Sequence, residues 1–329
     1  MKILVAPLDW GLGHATRCVP LIRRYLAEGH EVVLAGNGRS GLWLKQHFPN
    51  LPFLNDIPGM EITYPERGSI PWHLFKQYRR MMKVVHAEHQ WLEEKLERQH
   101  FDLVLSDNRY GLFSSNTKCV ILTHQLFPIV PRLLTRRVHR LIADWTSRFS
   151  EIWVPDDENF DDSFSGALSH GRFRSPLKYI GPLSRFGRPI AHATKDLDIF
   201  ASISGPEPAR SAFEHKVVQL CASLQLKAHI VCGTPDVHIE ADHGHIVRTP
   251  DLPDELYANL CARSKLVICR SGYSTLMDLH QLGTKALLVP TPGQSEQEYL
   301  AEWWNHKHGF VTCTQEELNP SLVSTLLTH

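Results

Sequence analysis

Two series of short β-branched runs, each run followed by a longer amphipathic or polar stretch, constrain the fold more than any other feature of this chain. The first series comprises 3–7 (ILVAP), 31–35, 101–106 (FDLVLS), 119–123 (CVILT) and 151–155 (EIWVP). The second comprises 197–202 (LDIFAS), 228–232, 265–269 (KLVIC) and 285–289 (KALLV). Strands buried on both faces read as continuous apolar runs, and their alternation with helical segments is the pattern of βαβ units around a parallel sheet. Between the series, 180–189 (IGPLSRFGRP) loses all periodicity to glycine and proline, as a linker does. With 329 residues the chain exceeds one ordinary core. The expectation is therefore an α/β fold of two Rossmann-like domains, 1–182 and 183–329, with a ligand cleft between them.

Helical spacing supports this division. In 15–28, Val19, Ile22 and Leu26 repeat with Tyr25 beside them, Gly29 marks the stop, and Pro20 predicts that the regular part starts late. Segment 71–99 lacks internal proline and glycine and sets Leu74, Tyr78, Met81, Met82 and Val85 near one face. Segment 211–224 carries Val217, Val218 and Leu220.

Charge and cysteine usage exclude several classes. The 35 basic side chains cancel the 35 acidic ones, so no overall field attracts nucleic acid. Seven scattered cysteines with no CxxC read as reduced, mostly buried thiols. The run after Lys2 is broken by Asp9 and Gly11, too early for a signal-peptide core, and no long apolar span follows, which points to the cytoplasm. No HExxH or paired Cys/His spacing marks a metal site; His238, His243 and His245 read as a polar loop.

The chemistry should lie at strand-end loops. After the first strand comes Asp9-Trp10-Gly11-Leu12-Gly13-His14, two glycines and a histidine ahead of a helix. Asp107 and His124 follow two other first-half strands. In the second half, Arg270-Ser271-Gly272 with Ser274 and Thr275 opening a helix forms a candidate anion cradle, and Asp278 lies one turn in. Ser204 and Gly205 lie in a weaker loop of the same kind. Residues 290–299 (PTPGQSEQEY) offer amides and carboxylates for sugar hydroxyls; the same stretch fits a capping box with Ser295 as cap and Glu298 as its partner.

Together these pieces resemble the MurG-like glycosyltransferases of family 28, whose GT-B architecture has two facing Rossmann domains. The resemblance is strongest over 262–304 (ARSKLVICRSGYSTLMDLHQLGTKALLVPTPGQSEQEYLAEWW), extends to GLGH and the helix after it, and is faint at Thr123-His124-Gln125. It implies that Asp278 binds the donor ribose, that 270–275 lie along the nucleotide, and that Gln297 or Glu298 holds the donor sugar. Gly11, Gly13 and His14 would meet the diphosphate and acceptor. The chain departs from the family in a first loop poorer in glycine, in Ser204-Gly205-Pro206-Glu207-Pro208 where a Gly/Ser-rich turn is usual, and in Glu298 where the family has an amide.

The resulting expectation is an inverting, metal-independent transfer of a sugar from a nucleotide-diphosphate sugar, UDP-linked by resemblance, to a hydroxyl acceptor, with no cofactor. His14, Asp107 and His124 are rival bases, and helix N-termini with Arg270 would offset the diphosphate charge. A hydrolase passing the sugar to water, or a non-catalytic sugar-nucleotide binder with a structural His14, are the alternatives. A lipid-linked acceptor and peripheral membrane contact are a further expectation: 71–85 mixes Trp72, Leu74, Phe75, Met81 and Met82 with Lys76, Arg79, Arg80 and Lys83.

Overall fold

The computed structural model describes residues 1–59, 70–187, 193–233, 240–242 and 245–328. The chain divides into two compact units, Met1–Leu183 and Ser184–His329. In the first unit the elements run β1 (Lys2–Pro7), α1 (Leu12–Ala27), β2 (Glu31–Ala35), α2 (Gly38–His47), β3 (Phe53–Leu54), α3 (Ile70–Arg98), β4 (Leu103–Asp107), β5 (Lys118–Leu122), α4 (Arg132–Thr146), β6 (Glu151–Val154) and β7 (Leu177–Tyr179). Its strands are ordered β3-β2-β1-β4-β5-β6-β7. Every pairing among the described residues of that sheet is parallel.

The second unit continues with β8 (Leu197–Ser202), α5 (Ala209–Ser223), β9 (Ala228–Val231), β10 (Glu240–Asp242), β11 (Ile246–Thr249), α6 (Asp254–Arg263), β12 (Ser264–Cys269), α7 (Tyr273–Leu282), β13 (Ala286–Leu288), α8 (Ser295–Trp304), β14 (Phe310–Thr312) and α9 (Pro320–Thr328). Its strand order is β10-β11-β9-β8-β12-β13-β14, with β10 running antiparallel to β11. Both units are Rossmann-like, as the alternation of apolar runs and helices requires. Each has its own core, around Leu4, Trp91, Leu92 and Val104 in the first and around Ile199, Phe213, Val217 and Ile268 in the second.

Strand order fixes where a ligand can sit. The first sheet reverses direction between β1 and β4, and the second between β8 and β12; loops diverge there beyond the strand C-termini and leave a crevice. Register brings the relevant loops level, because Pro7 pairs with Asp107 and Asp107 with Leu122. In the second sheet Cys269 pairs with Ser202.

Two local expectations are corrected. Helix α1 begins at Leu12 and keeps Pro20 inside it, so the proline removes one N–H donor without delaying the helix. Helix α8 has Gln294, not Ser295, at its N-cap, and Glu298 Oε1 accepts from the Gly293 amide (2.8 Å), two positions ahead of the expected cap. All seven cysteines are free and buried. No helix among the described residues is long and apolar enough to cross a membrane. His238 and His243 lie outside the described residues, as do the side chains of 70–78.

Candidate functional site: strand-end loops of the two sheets

In the first unit the turn after β1 closes with the Gly11 amide donating to the Asp9 carbonyl (3.1 Å), and Gly11 takes φ +81°, which a side chain would resist. As N-cap, this glycine brings no side chain to the start of α1. His14 sits in the first turn, its side chain 15% exposed, with Nδ1 3.2 Å from Asp107 Oδ1. Asp107 closes β4 and is wholly buried.

Arg17, one turn beyond His14 on α1, ties the three predicted residues together. Its Nε donates to Asp107 Oδ2 (2.7 Å) and its Nη2 to Asp107 Oδ1. Nη2 also lies 2.9 Å from His14 Nδ1, and Nη1 lies 2.9 Å from His124 Nδ1. Cys18 Sγ donates to the same carboxylate at 3.6 Å. Burial by itself would raise the Asp107 carboxyl, but the Arg17 guanidinium and His14 hold it well below the usual carboxylate range. His14 Nδ1 thus meets both a donor and an acceptor. With its hydrogen on Nδ1 the ring donates to Asp107 and leaves a lone pair on Nε2; with its hydrogen on Nε2 it accepts from Arg17.

A second buried arginine fixes the loops themselves. Arg109 donates from Nε to the Pro7 carbonyl (2.8 Å) and from Nη1 to the Pro58 carbonyl (2.8 Å) and Glu88 Oε1 (2.9 Å). Its Nη2 lies 3.7 Å from Asp9 Oδ1. The ends of β1 and β4 and the loop that carries Asp9 are therefore pinned to one planar cation.

The second unit gathers some predicted residues and turns others away. Gly205 is exposed at φ +115°, and a Cβ there would lie 3.5 Å from Thr291 Oγ1, whereas Ser204 beside it is also exposed. The first turn of α5 is partly occupied by the chain itself, since Glu207 Oε2 accepts from the Ser211 amide (3.2 Å). Helix α7 has Gly272 as its N-cap with no side-chain cap, and Ser274 and Thr275 are half-buried in its first turn. Ser271 Oγ donates to the Gln297 carbonyl (2.7 Å), and the Thr291 amide donates to Gln297 Oε1 (2.9 Å), so Ser271, Gln297 and Thr291 knit two strand-end loops together. Among the described residues, Thr291 Oγ1 is buried without a hydrogen-bond partner. Glu298 is exposed.

Arg270 is engaged by the chain itself. It is buried over the Phe213 ring (4.0 Å) and donates to the carbonyls of Val289 (3.2 Å), Pro290 (2.9 Å) and Ala209 (3.0 Å) and to Gln315 Oε1 (2.8 Å). Burial pulls it down to about 10. These bonds brace the loops, and among the described residues the Arg270 Nε is buried without a hydrogen-bond partner. Asp278 is likewise engaged: Oδ1 accepts from Ser184 Oγ (2.8 Å) and the Arg185 amide (3.2 Å), and Oδ2 lies 3.3 Å from Arg185 Nε. The Arg185 guanidinium rests against the rings of Phe186 (4.7 Å) and Tyr257 (4.9 Å). Burial outweighs these donors and pushes Asp278 up to about 6.

Sequence reasoning missed Arg17, Arg109 and Thr291. Arg17 carried a legible signal, because residues at i and i+3 share a helix face and His14 was already singled out. Nothing local marks Arg109 or Thr291.

With this geometry in place, residues 254–329 match the family model described as Glycosyltransferase family 28 C-terminal domain. A protein of Methanosarcina acetivorans named as an uncharacterized glycosyltransferase is 25% identical, over 91% of this chain and 80% of its own length. A Rhizobium etli UDP-N-acetylglucosamine–N-acetylmuramyl-(pentapeptide) pyrophosphoryl-undecaprenol N-acetylglucosamine transferase is 34% identical over 22% of this chain and 20% of its own. The spinosyn rhamnosyltransferase SpnG, complexed with thymidine diphosphate, superposes with a TM-score of 0.64 at 17% identity, covering 100% of this chain and 92% of that one. Two Rossmann-like units, a family 28 match at the C-terminal end and a glycosyltransferase relative along most of the chain identify this protein as a glycosyltransferase of the GT-B fold.

Proposed function

We propose that the protein transfers a sugar, with inversion, from a nucleotide-diphosphate sugar to a hydroxyl acceptor, and that His14 is the base. The observation that carries this reading is the grouping of His14, Asp107 and Arg17 at the switch point of the first sheet. In the reactive form the His14 hydrogen lies on Nδ1 and is donated to Asp107, and Nε2 takes the proton of the acceptor hydroxyl. The acceptor oxygen then bonds to the sugar C1 from the face opposite the diphosphate, the C1–O bond to the phosphate breaks, and the nucleoside diphosphate leaves. Asp107, wholly buried and held as a carboxylate, is a positioning residue and not a rival base. Arg17 fixes the carboxylate through both oxygens.

The donor is assigned to the second unit. The α7 N-terminus at Gly272, with Ser274 and Thr275, supplies N–H and hydroxyl donors to the diphosphate, so the transfer needs no metal. Ser204 and Gly205 take the same ligand from the neighbouring loop. Asp278 meets the ribose hydroxyls by exchanging its bonds to Ser184 and Arg185 for bonds to the ligand, and Gln297 and Glu298 stand beside the donor sugar. UDP as the nucleotide and a lipid-linked acceptor are supported by the substrates in the Rhizobium relative's name. A direct test incubates the protein with UDP-sugars and follows UDP release with and without hydroxyl acceptors. Release that needs acceptor is expected; release into water alone would assign a hydrolase, and tight binding without turnover a binding protein.

A further inference from the structure

Two donors of the second unit, Thr291 Oγ1 and Arg270 Nε, are buried with no hydrogen-bond partner among the described residues. Both stand at strand ends of the same sheet, Arg270 directly after β12 and Thr291 shortly after β13. Thr291 is 4% exposed and Arg270 1%. Their other donors are engaged. The Thr291 amide donates to Gln297 Oε1 (2.9 Å), and the Arg270 Nη groups donate to the carbonyls of Val289, Pro290 and Ala209 and to Gln315 Oε1. These acceptors of Arg270 are all uncharged. A buried donor left unbonded costs its full desolvation, and a buried cation set only against dipoles favours an acceptor that is negative.

Gly205 leaves room beside the hydroxyl. It is exposed in the loop after β8, at φ +115°, and a Cβ there would meet Thr291 Oγ1 at 3.5 Å. No other heavy atom of the described residues, its chain neighbours aside, would lie within 4 Å of that Cβ. Because residue 205 is glycine the space stays open, and an oxygen lodged there needs only a small shift to reach hydrogen-bond distance of the hydroxyl. Strand β12 lies between β8 and β13, so Thr291 reaches across its end toward the β8 loop.

We propose that the Thr291 hydroxyl donates to an oxygen of the outer, sugar-bearing phosphate of the donor, lodged beside Gly205. This assignment rests on the donor reading above, in which Gln297 stands beside the sugar. Gln297 holds the Thr291 amide, so the hydroxyl lies at the sugar end of the diphosphate. When the bond from C1 to the phosphate oxygen breaks, its electron pair stays on this phosphate, and the hydroxyl's bond strengthens as charge develops. Ligand binding thereby gives a partner to a hydroxyl that has none in the free chain.

The test is calorimetric titration of the full chain with UDP and with UMP, for the parent, Thr291→Val and Thr291→Ser, together with the thermal midpoint of each protein alone. Valine keeps the shape and removes the hydroxyl. Thr291→Val should bind UDP roughly tenfold more weakly, bind UMP as the parent does, and turn over UDP-sugar with a lower kcat. Free of ligand it should melt at a higher temperature than the parent, because it buries no unpaired hydroxyl. Thr291→Ser keeps the donor and should retain most of the UDP affinity. A merely structural hydroxyl predicts the reverse, a lower midpoint for Thr291→Val with UDP binding intact. That result, or an equal loss of UDP and UMP, would overturn the proposal. A parent that binds neither nucleotide removes the donor reading and this assignment together, whereas parent binding that valine leaves unchanged removes the role of Thr291 alone.

Discussion

In the proposed transfer, His14, Asp107 and Arg17 divide one task by burial: the buried carboxylate orients, the cation on α1 fixes the carboxylate, and the part-exposed imidazole moves the proton. His14→Ala should lower kcat by about 10²–10⁴-fold, the ordinary worth of a positioned base, with the circular dichroism spectrum and thermal midpoint of the parent. Asp278 makes a prediction of opposite character. Its folded value of about 6 lies above that of a free aspartate. The native state therefore holds this proton more tightly than the unfolded chain; the stabilisation is full below about pH 4 and is lost as pH rises through about 6. Thermal melts should show the parent losing stability between those values relative to Asp278→Asn, whose amide has no charge to bury. Equal pH dependence of the two proteins would contradict the assignment.

At the scale of elements, Arg109 and Gly11 decide how well the His14 loop is held. Arg109→Met leaves Glu88 buried without its cation, and should destabilise the protein by about 3–5 kcal/mol in urea titration. Gly11→Ala should cost about 1–2 kcal/mol, because φ is +81° there while a Cβ would meet nothing within 4 Å; the penalty is backbone strain alone. The strands were legible because 3–7, 197–202 and 265–269 are apolar on both faces, and little else tolerates such runs in a polar chain. Helix α2 was not, since Gly38 and Gly41 weaken its pattern; position 41 requires glycine because a Cβ there would come within 2.7 Å of the Gly36 backbone. At Arg270 a cation beside Ser271-Gly272 signals an anion in sequence, and only packing reveals that it also braces carbonyls.

Over the whole molecule, two sheets with switch points at β1/β4 and β8/β12 place the candidate residues at strand ends, as the loops' sequence positions imply. His14, Asp107 and His124 were legible as strand-end residues; their union was not, because it depends on the register that levels Pro7, Asp107 and Leu122. The chemistry asks the two units for different things, a diphosphate cradle at α7 and a base on α1. The most direct measurement is the rate of UDP release from a UDP-sugar in the presence and absence of a hydroxyl acceptor. Release that requires acceptor and collapses in His14→Ala is the predicted result. Release that ignores the acceptor, or that His14→Ala leaves intact, would contradict it.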